Sequence, residues 1–289
     1  MIRSFLFVPA DSERKLQKAS GVNADALILD LEDAVAAEAR PAARELAREF
    51  LSESDNAWVR INPMDSDDAL LDLEGVMAGA PAGIILPKPR SAADGLRLAE
   101  ALERLEKQHD LDSGSTPFIA LCTEHPQALF NLDSWVGATE RLAGLSWGAE
   151  DLSAAVGATT NRDANGNWLP TYEMARSLCL IAAAAAEVVA IDTVFTDFRN
   201  LDGLQQYASN ARRDGFSGML AIHPDQVDII NDAFMPSADE IDSARRIVEL
   251  FDANPGAGTL GLDGKMIDRP HFLQAQRVLA LAEKLNNKN

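Results

Sequence analysis

Val8–Lys15 reads VPADSERK, and the choice between two α/β architectures turns on it. The stretch leaves an apolar run, Ser4–Pro9 (SFLFVP), that has the character of a buried strand. An open, doubly wound sheet that binds a nucleotide places a glycine-rich turn after its first strand, because only glycine lets the backbone approach a pyrophosphate closely. Here that turn contains no glycine. A closed barrel makes no such demand.

The rest of the chain repeats the strand signal. Apolar runs begin at Asp25 (DALILDLED), Ala57 (AWVRIN), Gly83 (GIILPK), Pro117 (PFIALCTE), Leu142 (LAGLSWGAED), Val188 (VVAIDTVFTD) and Gly218 (GMLAIHP). Each is short and ends in polar or turn residues. Near-continuous apolar runs are what parallel strands buried on both faces require. Between them lie segments with helical spacing, such as Arg40–Leu51, Ser91–Gln108 and Tyr172–Ala186. Strands that alternate with helices argue α/β, and eight such units in 289 residues predict a (β/α)8 TIM barrel. The expected division is a barrel over 1–235 and a C-terminal extension over 236–289. The extension is read as a Gly-rich loop between Gly256 and Gly264, then an amphipathic helix from about Arg269. It is expected to pack on the barrel or on an adjacent subunit.

Composition narrows the function. The chain is 47% hydrophobic and 25% charged, as in ordinary globular proteins, and its formal charge is −19. That charge argues against nucleic acid or an anionic membrane as partner. No window approaches the ~18 apolar residues of a membrane span, and Met1–Ala10 does not read as a signal peptide. Cys122 and Cys179 have no metal-ligand spacing and fit a reducing cytoplasm, the expected location.

Catalytic groups of TIM barrels stand at the C-terminal ends of the strands. Collected there are Asp30, Glu32 and Asp33; Arg60 and Asn62; Lys88; Glu124; Glu150 and Asp151; Asp192 and Asp197; and His223. Any one acid after a strand is ordinarily a helix cap or a solvated turn residue. Asp192, Asp197 and His223 carry no more than that reading, and Arg60 has pairing with a neighbouring acid as its bland alternative. Several carboxylates on one rim are different, because they repel one another unless a cation sits among them. Oxygen ligands without a Cys or His cluster favour Mg²⁺, with Mn²⁺ as alternative. Arg60 offers a planar fork to a carboxylate.

The motifs RSFLFVPA (3–10), ALILDLEDAV (26–35), WVRIN (58–62), CTEHPQAL (122–129), SWGAEDLSAAVGA (146–158), GMLAIHPDQV (218–227) and GKMIDRPH (264–271) together resemble the citrate lyase β-subunit-like family. That family belongs with malyl-CoA lyases and the wider HpcH/HpaI aldolase group. The resemblance runs through nearly the whole chain, in order. It departs at His125 in CTEHP, where relatives often carry a small residue or threonine.

The resemblance implies a (β/α)8 barrel and Mg²⁺-dependent making or breaking of a carbon–carbon bond. Glu124 and Asp151 match its metal-ligand positions, with Glu124 also binding substrate. Glu32 and Asp33 match acids that hold metal-bound waters. Arg60 matches the arginine that grips an oxoacid carboxylate. Asp268 matches an acid/base that reaches the site of an adjacent subunit in a homotrimer or hexamer. The implied substrates are an acyl-CoA, such as malyl-CoA or citramalyl-CoA, and a 2-oxoacid: glyoxylate, pyruvate or oxaloacetate. Arg14, Lys15 and Lys18 are candidates for the CoA nucleotide, against the alternative of a solvated helix face. Three other readings stay open: a citrate lyase β subunit acting on an acyl-carrier-protein thioester within a complex, thioester hydrolysis after condensation, and a non-catalytic scaffold barrel.

Overall fold

A computed structural model describes residues 1–286. The chain forms two compact units, Ile2–Asn231 and, together with Met1, the residues from Asp232 onward.

In the first unit eight parallel strands close into a barrel in sequence order. They are β1 (Ser4–Pro9), β2 (Ala26–Asp30), β3 (Ala57–Arg60), β4 (Gly83–Leu86), β5 (Phe118–Leu121), β6 (Leu142–Ser146), β7 (Val189–Asp192) and β8 (Gly218–Ala221). β8 returns to β1 with Phe5 opposite Leu220, so no edge is left open. The helices are α1 (Glu13–Ser20), α2 (Arg40–Leu51), α3 (Asp68–Val76), α4 (Ala92–Gln108), α5 (Ala149–Ala155), α6 (Pro170–Ala185), α7 (Leu201–Asp214) and α8 (Val227–Ala233), within which the boundary between the units falls.

The strands are buried as their sequences require: every residue of β2, β4, β5 and β8 is inaccessible to solvent or nearly so. Phe5, Ile28, Trp58, Ile85, Ile119 and Leu220 fill the interior. The Trp58 ring lies against β4 so closely that a Cβ on residue 83 would fall 2.3 Å from it, which restricts that position to glycine.

Register brings the first site residues together. Pro9 stands opposite Asp30, and Asp30 opposite Arg60, so the C-terminal ends of β1, β2 and β3 are level. Not every buried acid belongs to that end. Glu106 on α4 is fully buried in a two-pronged pair with Arg141, and Asp72 on α3 pairs with Arg44 of α2. These pairs tie helices and loops together.

Three local expectations change. No α-helix follows β5. Pro126 and the His125 side chain, which accepts from the Gln127 N–H, start a 3₁₀ turn instead, and a second such turn buries Trp135 against Phe118. β7 ends at Asp192, which leaves Asp197 in an exposed loop. The Gly-rich segment of the extension is a hairpin rather than a loop. β9 (Thr259–Leu262) pairs antiparallel with β10 (Lys265–Asp268). Asp263 and Gly264 join them with φ of 50° and 74°, the two positive angles of a tight hairpin turn.

The second unit also contains α9 (Ala238–Asp252) and α10 (Arg269–Asn286). Ser237 and Glu240 cap α9 reciprocally, and Phe251 of α9 packs on Phe272 of α10 at 5.1 Å. No helix among the described residues is long and apolar enough to cross a membrane.

Candidate active site

Each acid is delivered by the residue that ends a strand or by the turn just after it. Asp30 is the last residue of β2 and only 2% exposed. It accepts from Arg60 Nε at 2.8 Å and Nη2 at 2.6 Å, and from the backbone N–H groups of Glu32 and Ala34. Asp30 therefore clamps the arginine on one side and shapes the turn that presents Glu32 and Asp33 on the other. The bland alternative for Arg60 is partly realised. Two of its nitrogens are engaged by Asp30, and Nη1 lies 3.0 Å from Glu32 Oε2. That carboxylate oxygen has no aligned hydrogen bond although it is buried.

Lys88 connects the acids. Its ammonium lies 2.7 Å from Glu32 Oε1, 2.9 Å from Asp33 Oδ2 and 3.2 Å from Asp151 Oδ1. Its backbone N–H donates to Glu124 Oε2 at 2.7 Å. One residue thus touches acids from the ends of β2, β5 and β6. It does so with φ at 51°, an unusual angle for a side chain other than glycine and one that costs energy to hold. The sequence signal was its place between Pro87 and Pro89, which restricts the backbone on both sides.

Glu124 is 5% exposed. Burial pushes its pKa up, Asp151 and Glu32 push it further, and Arg60 and the Lys88 amide oppose them; the result is about 8. Glu32 is raised to about 7, chiefly by burial, with Arg60 and Lys88 opposing. Asp151, in the first turn of α5, stays accessible with its side chain 31% exposed. The chain reaches α5 through Gly148, where a Cβ would fall 2.5 Å from Glu124 Cγ and 2.7 Å from Oε1. Gly148→Ala is expected to cost about 1–3 kcal/mol in thermal stability, and to weaken Mg²⁺ binding in calorimetry because Glu124 must turn away. Unchanged Mg²⁺ affinity would count against Glu124 as a ligand.

A cavity of about 430 Å³ opens beside these groups at the C-terminal mouth of the barrel. Its lining combines the polar Asp30, Asp33, Arg60, Glu124, Glu150 and Asp151 with the apolar Phe7, Leu121, Trp147, Val194, Leu220 and Ile222. Asp192, at the end of β7, is fully buried and outside that lining. It accepts from Trp147 Nε1 at 2.7 Å, from Arg176 Nη2 at 2.7 Å and from the Tyr207 hydroxyl at 3.2 Å. Asp192 thus fixes a tryptophan of the cavity lining, a role that its position after a strand did not reveal. His223 stacks on Phe198 and caps a 3₁₀ turn, and Asn62 bonds Asp72 and the Leu31 carbonyl. The His125 cap likewise gives the variant CTEHP motif a local role. Cys122 and Cys179 are buried free thiols with their sulfurs 3.8 Å apart. Arg14, Lys15 and Lys18 are exposed on α1. Asp268 belongs to the second unit, at the junction of β10 and α10.

Among the described residues, Arg60 and Lys88 are the basic groups paired with Asp30, Glu32, Asp33 and Asp151, and Glu124 adds a further carboxylate, so the cluster holds an excess of carboxylate. Among the described residues no three His, Cys, Asp or Glu side chains are placed to hold a metal together. A hard ion that takes one or two carboxylates and completes its shell with water and substrate oxygens fits such a donor set. A zinc-type cage does not.

Comparison with known proteins identifies the family. The family model for HpcH/HpaI aldolase/citrate lyase matches residues 3–224. The chain is 35% identical to the citrate lyase subunit beta of Escherichia coli K12, over 97% of this chain and 93% of that one. It is 34% identical to a (3S)-malyl-CoA thioesterase of Cereibacter sphaeroides, over 98% and 95%. The crystal structure of CitE from Mycobacterium tuberculosis in complex with magnesium, acetoacetate and coenzyme A superposes with a TM-score of 0.83 at 33% identity, covering 97% of this chain and 98% of that one. The chain therefore belongs to the HpcH/HpaI aldolase/citrate lyase family.

Proposed function

We propose that this protein is a Mg²⁺-dependent carbon–carbon lyase that cleaves, or in reverse forms, a 3-hydroxyacyl-CoA such as malyl-CoA or citramalyl-CoA, giving an acyl-CoA and a 2-oxoacid. The observation that carries the reading is the meeting of Glu124 and Asp151 beside Arg60 in one cavity at the barrel mouth. The magnesium and coenzyme A in the related CitE complex support it, as do the pyruvate and oxaloacetate complexes of related structures.

In cleavage the substrate hydroxyl gives its proton to water, the O–H electron pair forms the oxoacid carbonyl, the carbon–carbon bond breaks, and its electron pair passes to the thioester fragment as an enolate. Glu124 and Asp151 would hold the ion, and Glu32 and Asp33 would orient its waters. When bound, the ion supplies Lewis acidity that lowers the hydroxyl pKa and stabilises the developing oxoacid carbonyl. Arg60, immobilised by Asp30, presents Nη1 and its charge to the oxoacid carboxylate. Trp147 and its apolar neighbours exclude water from the enolate. Asp268 gives the enolate its α-proton, or takes that proton in condensation. It does so in the site of an adjacent copy within a homotrimer or hexamer. Arg14, Lys15 and Lys18 are the basic groups offered to the CoA phosphates.

The purified chain is expected to release glyoxylate from malyl-CoA or pyruvate from citramalyl-CoA with Mg²⁺, and neither with excess chelator. A second reading, thioester hydrolysis, draws on the similarity to the malyl-CoA thioesterases. Free CoA appearing in place of acetyl-CoA would establish it. No product from either substrate, with Mg²⁺ binding intact, would transfer the proposal to a carrier-protein thioester and a citrate lyase complex. Absence of Mg²⁺ binding as well would leave a scaffold.

A further inference from the structure

Asp268 ends β10, and His271 stands one turn later, at the start of α10. His271 Nδ1 lies 2.5 Å from Asp268 Oδ1 and 3.3 Å from the Asp268 backbone nitrogen. One nitrogen cannot serve both as donor to the carboxylate and as acceptor from the backbone. With Asp268 ionised, as it must be to take the α-proton, an unprotonated Nδ1 would leave two acceptors facing each other at 2.5 Å. The short contact therefore puts the proton on Nδ1, which donates to Oδ1. The geometry is locally determined. The hairpin sets the direction of β10, and Pro270 fixes the backbone between the two residues. Neither side chain is sealed, with Asp268 30% and His271 45% exposed. Asp239 and Glu240, at the start of α9, line the same cavity as His271.

We propose that His271 is a positioning residue for Asp268: its Nδ1–H fixes one carboxylate oxygen in place and leaves the other free for proton transfer at the thioester α-carbon. This rests on the reading of Asp268 as the acid/base. In cleavage the proton passes from Oδ2 of Asp268 to the enolate carbon, whose electron pair forms the new carbon–hydrogen bond. In condensation the proton returns. His271 exchanges no proton with substrate. It selects the carboxylate rotamer and supplies a charge-assisted hydrogen bond.

The full chain is tested in two ways. Nitrogen-15 spectra of neutral His271 are expected to show the Nδ1–H tautomer, and to lose that preference in Asp268→Ala. An Nε2–H tautomer in the unsubstituted protein would overturn the proposal whatever the activity. In cleavage assays His271→Ala is expected to lower kcat roughly 10- to 100-fold, the scale of one hydrogen bond to a charged group, with KM little changed. Asparagine places its amide nitrogen where Nδ1 lies, and glutamine places its amide where Nε2 lies. His271→Asn is therefore expected to recover most of kcat and His271→Gln little of it. Full activity in His271→Ala alongside an inactive Asp268→Asn would sink the positioning role and leave the acid/base reading standing. An active Asp268→Asn would remove both. Equal activity of the Asn and Gln variants would show that the donor position is immaterial and would also refute the proposal.

Discussion

Glu124→Gln is expected to lower turnover at least about a thousandfold while the barrel stays folded. The size follows from losing a metal interaction worth several kcal/mol in the transition state, at about 1.4 kcal/mol per tenfold. Glutamine is isosteric and keeps a carbonyl oxygen to accept from the Lys88 amide. The change therefore removes charge and proton rather than shape. The same argument applies to Asp151→Asn, and near-normal activity in either variant would defeat the metal assignment.

The burial of Glu124 adds a pH signature. Its pKa of about 8, and that of Glu32 at about 7, lie above the ordinary 4.5. In that interval the native protein holds protons that the unfolded chain has released, so stability falls as pH rises through it. Without divalent metal, the thermal midpoint of the protein should drop between pH 5 and pH 8. Glu124→Gln has no such proton to lose and should show a flatter profile and a midpoint at pH 8 no lower than the unsubstituted protein. A metal ligand must be deprotonated, so Mg²⁺ affinity should weaken by up to about tenfold per pH unit below 8. Calorimetry in buffers of different ionisation enthalpy should register proton release on binding. A Mg²⁺ affinity independent of pH between 6 and 8 would contradict Glu124 as the ligand.

The second large effect concerns Asp268. Asp268→Asn is expected to lower kcat by roughly 10²–10⁴-fold, the usual contribution of a general acid or base, and to change KM little. If the tail of one chain completes the site of another, oligomers assembled from Asp268→Asn and Glu124→Gln chains contain some sites with every group intact. Mixing two inactive variants should then restore a measurable fraction of activity. Glu124→Gln is a better partner than an Arg60 substitution, because Arg60→Ala leaves Asp30 buried without its counter-ion and Glu32 with Lys88 alone, a loss of about 3–5 kcal/mol in stability. Mixed oligomers that form, as mass spectrometry would show, yet stay inactive would confine each site to a single chain.

The sequence alone determined the barrel. Eight short, near-continuous apolar runs that alternate with helical segments match parallel strands covered on both faces, and a first turn without glycine favours closure over an open nucleotide-binding sheet. It also determined which residues stand at the mouth, since a group that follows a parallel strand is carried to the strand's C-terminal end. Asp30, Arg60, Glu124 and Asp151 were legible for that reason. Short-range order decided less. Pro126 and His125 replaced an expected helix with 3₁₀ turns, and Asp263–Gly264 folded a presumed loop into a hairpin.

Only the tertiary structure separated the acids by role. Asp30 and Glu124 are both carboxylates after strands, yet Asp30 is consumed by Arg60 while Glu124 is buried with one hydrogen bond and a raised pKa. Asp192 proved to hold Trp147, and Lys88 to reach acids from three strands. Those differences depend on which side chains from distant parts of the chain come within about 3 Å, and on how much water is excluded around them. Burial and Coulomb interactions act through space, so residue type and spacing along one chain place a carboxylate at the mouth of the barrel without fixing its partners or its charge.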